Sequence, residues 1–215
     1  MAKKVFGVKH LFLLRNFPIA SKTCRKTDFL TSKTLKLVYV GSINKFRGIL
    51  ETVEYVQEFN NKYHSKKHLT LSIFSRPSDL LTPYINFSDI IQEKYLNYPE
   101  LMKALRSYDV GICLWLPLKK FHRNLPIKNF DYMAAGLPVI TSNFGNLKKY
   151  IDLSGAGIAI DPNSYEEFEN AINMMFDHNN RKLFSDNGRL YIENEGNFEK
   201  ESVPYVRMYS NSEKY

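Results

Sequence analysis

The chain of 215 residues is 44% hydrophobic and 24% charged, with a formal net charge of +8, which excludes an intrinsically disordered protein. Two cysteines, Cys24 and Cys113, are too few for a small disulfide-stabilised domain and fit a reducing cytoplasm. Cys113 lies within the apolar run "VGICLW", where we expect a buried thiol. The positive charge indicates an anionic partner, and the candidates are a phosphorylated small molecule, a membrane surface and a nucleic acid.

The N-terminal segment "MAKKVFGVKHLFLLRNFP" begins with basic residues, as a signal peptide does. Lys9, His10 and Arg15 interrupt its apolar stretch, so we predict neither an export signal nor a membrane span. Residues 18–34 are polar, basic and aperiodic, which is typical of a linker. The basic residues do not form one stripe with interleaved aromatic residues, and we therefore predict no nucleic-acid partner.

From residue 35 onward, short apolar runs alternate with longer segments of helical period. The apolar runs are "LKLVYVG", "LTLSIF", "IIQEKY", "DVGICLW", "LPVIT" and "AGIAI". Nearly continuous apolar strands separated by helices predict an α/β fold, a doubly wound Rossmann-like parallel sheet with both faces covered. Ligands of such sheets bind beyond the carboxyl ends of the strands, so the loops that follow "LVYVG" and precede Pro126 form the candidate site.

The stretch "YVGSINKFRGILETVEYV" places Gly41 at the end of a strand and Arg47 at the start of a helix. It lacks the GxxxxGK[ST] pattern of a P-loop and the GxGxxG pattern of a dinucleotide-binding fold, so neither of these sites is predicted. A guanidinium at a helix N-terminus opposes the helix dipole unless an anion binds nearby. Arg47 is therefore either an anion-binding residue or a solvated turn arginine, and the residues alone leave both interpretations open.

The stretch "NLPIKNFDYMAAGLPVIT" predicts a short helix from Pro126 to Ala135, which ends at Gly136 in the left-handed conformation. The first-turn amides of such a helix form a site for phosphate or carboxylate. Lys128 and Asp131 lie on the same face of this helix. An ammonium near the helix start suits a diphosphate, and a carboxylate one turn deeper suits two sugar hydroxyls. The alternative is an exposed ion pair without a ligand.

The C-terminal part of the chain is predicted to be helical. The stretch "SYEEFENAINMMFDH" begins with a capping box formed by Ser164 and Glu167. Two more helices follow, in "RKLFSDNGRLYIEN" and "FEKESVPYVRMY", and Pro204 is expected to kink or break the second.

Several stretches together resemble the C-terminal domain of a family 4 glycosyltransferase with the GT-B fold: "LVYVGSINKFRGILETVEYV", "YPELMKALRSYDVGICLW", "NLPIKNFDYMAAGLPVITS", "GAGIAIDP" and "NFEKES". The resemblance covers residues 35–209 in unbroken order. It implies a retaining sugar transferase that needs no metal or other cofactor and holds a nucleotide-diphosphate sugar, UDP- or GDP-linked. It also implies a saccharide or lipid-linked acceptor of the bacterial envelope, and a cytoplasmic location with peripheral contact at the inner membrane face.

The resemblance also assigns roles to individual residues. Gly41 and Ser42 match the glycine loop near the donor phosphates, and Arg47 matches the basic residue that binds them. Lys128 matches the helix start that faces the diphosphate and the donor sugar. Asp131 matches the second acid of the paired-acid motif, which holds the ribose hydroxyls. Arg47 and Lys128 are thus the implied catalytic residues, and the other residues of the helix start are Asn124, Leu125, Pro126 and Ile127.

Two positions depart from the pattern of the family. Asp131 stands where glutamate is usual, so its reach is shorter by one methylene. Arg123 stands where the first acid of the pair would be, so the family's sugar contact at that position does not carry over.

The resemblance divides the chain into a remnant of an N-terminal domain with its linker (1–34), a nucleotide-sugar-binding domain (35–195) and a C-terminal crossover helix or tail (196–215). A GT-B enzyme binds its acceptor in an N-terminal domain, so we expect this chain to be the donor-binding half. It would then be a truncated product, an excised domain, or a subunit whose partner is a separate acceptor-binding domain. The alternative is a nucleotide-binding or interaction module without activity of its own.

Overall fold

The computed structural model of the chain describes residues 14–20, 26–64, 66–84 and 86–212; Cys24 lies outside these ranges. Its centre is a sheet of six parallel strands in the order β3-β2-β1-β4-β5-β6. The strands are β1 (Thr34–Val40), β2 (His68–Phe74), β3 (Ile90–Glu93), β4 (Val110–Cys113), β5 (Val139–Ser142) and β6 (Gly157–Ile160). The predicted doubly wound α/β fold is confirmed.

Helices connect the strands and continue beyond them at the C-terminal end of the chain. They are α1 (Ile49–Tyr63), α2 (Tyr98–Leu105), α3 (Ile127–Ala135), α4 (Gly145–Ser154), α5 (Tyr165–Phe176), α6 (His178–Asn194) and α7 (Phe198–Ser212). None of the helices in the described ranges is long and apolar enough to cross a membrane.

The two faces of the sheet bury separate hydrophobic clusters, as the near-continuous apolar strands predict. On β1, Leu35 and Leu37 belong to a cluster with α1 and α5, while Val38 belongs to a cluster with α2, α3 and α4. Cys113 is fully buried in a third, smaller cluster, and this confirms the expected buried thiol.

The order of the strands reverses between β1 and β4, and the loops that follow these two strands diverge there. The fully buried Tyr132 of α3 holds this point together. Its hydroxyl accepts a hydrogen bond from the amide of Val40 (3.0 Å) and donates one to the carbonyl of Ile112 (3.3 Å). Its ring packs on Gly111, where a Cβ would lie 2.4 Å from the ring. Helix α3 is therefore fixed across the carboxyl ends of both strands.

The predicted boundaries of α3 agree with the structure to within one residue. The helix begins at Ile127, with Pro126 as its N-cap, and ends at Ala135. Gly136 follows with φ of 79°, the left-handed conformation that terminates the helix and that glycine adopts without steric cost.

Pro204 was expected to kink or break the last helix, and a break does not occur, because α7 continues through this residue. Proline removes one internal hydrogen bond, and contacts with residues 14–20 hold the helix start. One guanidinium nitrogen of Arg15, Nη1, donates to both carboxylate oxygens of Glu201, at 3.0 Å each. The amide of Phe198 donates to the carbonyl of Pro18 (2.9 Å).

Arg181, in the first turn of α6, is fully buried. Its guanidinium donates to the carbonyls of Met175 and Phe176 at the end of α5, and to the carbonyl of Leu30 (2.7 Å) in the segment before β1. Burial lowers the pKa of Arg181. The side chain joins three separate parts of the chain through their backbone oxygens.

Candidate functional site

Lys128 lies in the first turn of α3, at the carboxyl edge of the sheet where β1 ends. Its ammonium is 3.8 Å from the centre of the Tyr39 ring. It also lies against Gly41, where a Cβ would be 3.2 Å from the Lys128 Nζ. Gly41 has φ of 124°, a conformation that residues with a Cβ rarely adopt. The glycine after β1 thus leaves room for the ammonium at the entrance to the site.

The electrostatic environment of Lys128 disfavours its charge. Burial lowers the pKa of Lys128 to about 8, and the nearby Arg47 guanidinium acts in the same direction. No ion pair joins Lys128 to Asp131, although both residues are described. The alternative of an exposed ion pair on a solvated helix therefore does not hold, and Lys128 is a half-buried cation without a paired carboxylate.

Arg47 lies at the end of the loop between β1 and α1, and its guanidinium stacks on aromatic rings of the neighbouring β4 loop. Its Cζ is 4.3 Å from the ring centre of Trp115 and 5.4 Å from that of Phe121. The Nε of Arg47 is buried and has no acceptor among the described residues. This arrangement differs from a solvated turn arginine, because the rings orient the guanidinium and one of its donors remains unused.

Asp131 lies one turn further along α3 and is half-buried. The hydroxyl of Tyr98, the first residue of α2, donates a hydrogen bond to Asp131 Oδ1 (2.9 Å). Burial raises the pKa of Asp131 to about 6, while the Tyr98 hydroxyl and the Lys128 charge lower it in part. One carboxylate oxygen is occupied by Tyr98, and the other is available to accept hydrogen bonds.

Replacement of Tyr98 by Phe is expected to raise the pKa of Asp131 above about 6, because the hydrogen bond to the charged carboxylate is lost. The folded-state pKa is already above the ordinary 3.8. The contribution of Asp131 to stability is therefore fully present below pH 4 and is lost as the pH rises through about 6. Carbon-detected NMR titration of the Asp131 carboxyl measures both pKa values.

Tyr95→Phe is the matched control, because Tyr95 lies just before α2, is 69% exposed, and does not donate to Asp131. The Asp131 pKa should be unchanged in this control. A Tyr98→Phe protein whose Asp131 titrates as in the unchanged chain would show that the hydroxyl does not act on the carboxylate.

A cleft of about 600 Å³ opens beside this group at the carboxyl ends of β1 and β2. Its walls are three loops, residues 40–43, 74–78 and 95–101. Ser75 presents a buried hydroxyl without a hydrogen-bond partner among the described residues. A smaller cavity of about 270 Å³ contains Asp131 and Ile127, and Tyr98 lines both cavities. Tyr98 therefore stands between the large cleft and Asp131.

The other residues assigned from the sequence occupy the same edge of the sheet. Ser42 is exposed in the wall of the cleft, and its carbonyl accepts a bond from the Tyr39 hydroxyl (2.8 Å). Asn124 is exposed, Leu125 is half-buried and Pro126 is buried. The amide of Ile127 donates to the carbonyl of Leu125 (3.0 Å), so this helix-start amide has a partner within the loop.

Sequence reasoning missed the aromatic residues of the site. Trp115 ends the run "DVGICLW", and its position after a predicted strand was a usable signal for the candidate edge. Phe121 and Tyr39 gave no such signal, because their contacts with the two cations arise only from tertiary packing. Tyr98 lies in a segment of helical period, and the sequence alone does not indicate its bond to Asp131.

Comparison with known proteins adds a match of sequence and several matches of fold. The model of the family described as "Glycosyl transferases group 1" matches residues 34–178. No curated protein matches the chain in sequence.

Among solved structures, sucrose-phosphate synthase from Thermosynechococcus elongatus aligns over 98% of this chain and 55% of its own, with 17% identity and a TM-score of 0.74. The C-terminal domain of a glycosyl transferase group 1 family protein from Francisella tularensis aligns over 76% of this chain and 86% of its own, with 18% identity and a TM-score of 0.59. A mutant of S. aureus TarM, in complex with Fondaparinux, α-GlcNAc-glycerol and UDP, aligns over 95% of this chain and 40% of its own, with 13% identity and a TM-score of 0.69. At these identities the likeness is one of fold.

Proposed function

The chain belongs to the glycosyl transferase group 1 family, and on that premise we propose that it is the donor-binding half of a retaining, family 4-like glycosyltransferase. Its fold is the Rossmann-like C-terminal half of a GT-B enzyme. The donor is a UDP- or GDP-linked sugar, no metal takes part, and the acceptor is an envelope polysaccharide or a lipid-linked saccharide. The proposed place of action is the cytoplasm, at the inner membrane face.

The observation that carries this proposal is the pair of cations at the crevice between β1 and β4. Lys128 is half-buried with a lowered pKa, and Arg47 has a buried donor without an acceptor. An anion bound between Lys128 and Arg47 would supply an acceptor for the Arg47 donor. It would also raise the pKa of Lys128, because a nearby negative charge favours the charged lysine. A diphosphate matches this need, since its charge spans two neighbouring cations.

The same arrangement serves catalysis of sugar transfer. When the bond between sugar and diphosphate breaks, negative charge accumulates on the departing nucleoside diphosphate. Cations that are already in place, together with the N-terminus of α3, stabilise this charge without reorganisation. Gly41 lets the phosphates approach the backbone, because it has no side chain to separate them from the Lys128 ammonium.

Asp131 is proposed to hold the ribose through the carboxylate oxygen that Tyr98 leaves available. The position of Asp131 fits this role, because it lies one helical turn beyond Lys128 and Tyr98 separates it from the larger cleft. A carboxylate accepts two adjacent hydroxyl hydrogens, which ribose offers and 2′-deoxyribose does not.

The second candidate function is a nucleotide-binding or interaction module without turnover. This chain spans 55% of the sucrose-phosphate synthase chain that it resembles, so the activity of a whole transferase is a proposal for it. Transfer requires donor and acceptor to be held at reacting distance, and the proposal assigns the acceptor to a separate N-terminal domain. Both functions predict nucleotide binding, and they differ in sugar transfer once a matching acceptor domain is supplied.

Calorimetric titration of the chain with UDP, GDP, ADP and their sugars tests the proposal. We expect a Kd in the range of about 1 µM to 1 mM for at least one of them, since half a cleft lacks closure over its ligand. Asp131→Asn is expected to weaken the ribonucleotide by about 1.5 to 3 kcal/mol and the 2′-deoxynucleotide by less.

Asp152→Asn is the control for Asp131→Asn, because Asp152 is an exposed carboxylate on α4 whose partner is Lys148. Absence of a response to every nucleoside diphosphate by a folded chain would contradict the donor proposal. Equal losses for ribose and deoxyribose would assign Asp131 to packing instead.

A further inference from the structure

A group of cations lies on the two loops that follow β1 and β4, to which Arg47 also belongs. The loop after β1 (residues 41–48) and the loop after β4 (114–126) carry five cations and no Asp or Glu; the cations are Lys45, Arg47, Lys119, Lys120 and Arg123. Among the ion pairs of the described residues, none involves Lys45 or Lys120. The charge of this surface is therefore uncompensated.

Two phenylalanine rings organise these cations. The ammonium groups of Lys45 and Lys120 each lie 5.1 Å from the centre of the Phe46 ring. Lys120 is also 5.2 Å from the centre of the Phe121 ring, which the guanidinium of Arg47 contacts at 5.4 Å. Phe121 thus joins the outer pair of lysines to the inner cation of the donor site.

The support beneath this group is fixed rather than a free loop. The amide of Leu116 donates to the carbonyl of Phe46 (3.1 Å), which ties the two loops together. Phe46 also packs on the small buried cluster that contains Trp115 and Phe121. Two like charges held around one ring, that of Phe46, repel each other, and an anion between them relieves this repulsion.

We propose that Lys45, Lys120 and Phe46 form a second anion-binding site, beside the donor site, which holds the phosphate or carboxylate group of an acidic saccharide acceptor. This inference rests on the proposed function, since the group that must come closest to a bound donor sugar is its acceptor. This chain would hold only the charged group of the acceptor, and the separate N-terminal domain would hold the rest. The Phe121 ring, which both Arg47 and Lys120 contact, connects the two sites. The acceptor class is thus a negatively charged saccharide rather than a neutral one.

A membrane surface fits this site less well. Proteins that insert at the membrane interface present large apolar side chains next to their cations. Within residues 41–48 and 114–124, which the structure describes in full, no large apolar side chain is exposed. Two ammonium groups that each lie 5.1 Å from the centre of one ring match a single charged group better than an extended surface.

The test uses the full chain, saturated with the nucleoside diphosphate that binds best, and the double variant Lys45→Glu/Lys120→Glu. The probes are tetragalacturonate for carboxylate, mannose 6-phosphate for phosphate, and maltotetraose as the neutral saccharide. We expect calorimetry to show binding of an acidic probe, no binding of maltotetraose, and at least about tenfold weaker acidic binding by the variant. The matched control is Lys33→Glu/Lys66→Glu, the same charge change on exposed lysines before β1 and β2.

Equal affinity of the two double variants for the acidic probes would overturn the second site, as would the absence of any acidic binding by the unchanged chain. Binding to phosphatidylglycerol vesicles, lost in Lys45→Glu/Lys120→Glu without any saccharide binding, would overturn it in favour of a membrane surface. The nucleotide titration tests the donor proposal independently of the second site. Acidic saccharide binding without nucleotide binding would support the second site and contradict the donor proposal.

Discussion

Lys128→Ala is expected to weaken nucleoside diphosphate binding by about 10- to 100-fold, the effect of one charge-assisted contact to phosphate. The bare nucleoside should bind almost as before, because it has no group for the ammonium. Calorimetry with a nucleoside and its diphosphate measures both effects. Lys149→Ala is the matched control, since Lys149 is an exposed lysine that also contacts an aromatic ring, that of Tyr150.

The free energy of unfolding of Lys128→Ala shows whether Lys128 binds the ligand or instead stabilises the fold. The folded-state pKa of Lys128, about 8, is below the ordinary 10.5, so burial of the charged form opposes folding. This cost is fully present below pH 8 and is relieved as the pH rises towards 10.5. Loss of the ammonium should therefore not destabilise the chain at pH 7, and denaturant unfolding measures this.

In the unchanged chain, diphosphate affinity should fall as the pH rises through about 8, because the bound anion needs the charged lysine. A Lys128→Ala protein that binds the diphosphate normally, or one that no longer folds, would contradict the assignment of Lys128 to the phosphates.

Gly48→Ala is expected to lower the free energy of unfolding by about 4 kcal/mol or more. Gly48 has φ of 64°, and a Cβ there would lie 1.4 Å from the carbonyl oxygen of Leu114. A backbone oxygen cannot move aside as a side chain does, so the β1 loop and the β4 loop would have to separate. Because Arg47 precedes Gly48, this separation would also move the guanidinium off Trp115.

Gly155→Ala is the control for the backbone conformation alone. Gly155 has φ of 60°, but a Cβ there would lie 3.1 Å from the side-chain nitrogen of Asn187, which has room to adjust. The expected loss is about 1 to 2 kcal/mol, the cost of the left-handed conformation. Urea unfolding of both variants gives the comparison, and equal losses would show that the contact with Leu114 does not decide the stability.

The parallel strands of the doubly wound sheet and the helix after Pro126 followed from the sequence, because both depend on local signals. Apolar runs mark buried parallel strands, and proline and Gly136 mark the two ends of α3. The edge of the sheet that holds Arg47, Lys128 and Gly41 also followed, since topology alone places loops after β1 and β4 together. The division of the chain at residues 34 and 195 stays a prediction.

The environment of the same residues did not follow from the sequence. The sequence pattern indicates that Lys128 is an exposed lysine of a short helix. Its burial arises from packing on Tyr39, which is far away in the chain. The bond between Tyr98 and Asp131 joins α2 to α3 and depends on how the two helices pack. The alternative that Pro204 breaks the last helix also did not hold: α7 continues through it, and its start contacts residues 14–20, which no local signal indicates.

The buried Arg181 contributes to the fold from outside the stretch that the family model matches. The family match ends at residue 178, three positions before it. A fragment cut at that point would retain the whole sheet and every proposed ligand contact, yet the carbonyls of Met175, Phe176 and Leu30 would lose their shared donor. Since 151 positions separate Arg181 from Leu30, this clasp closes only after synthesis of the sheet is complete. The packing of the fold therefore depends on a side chain beyond the stretch that the family model matches.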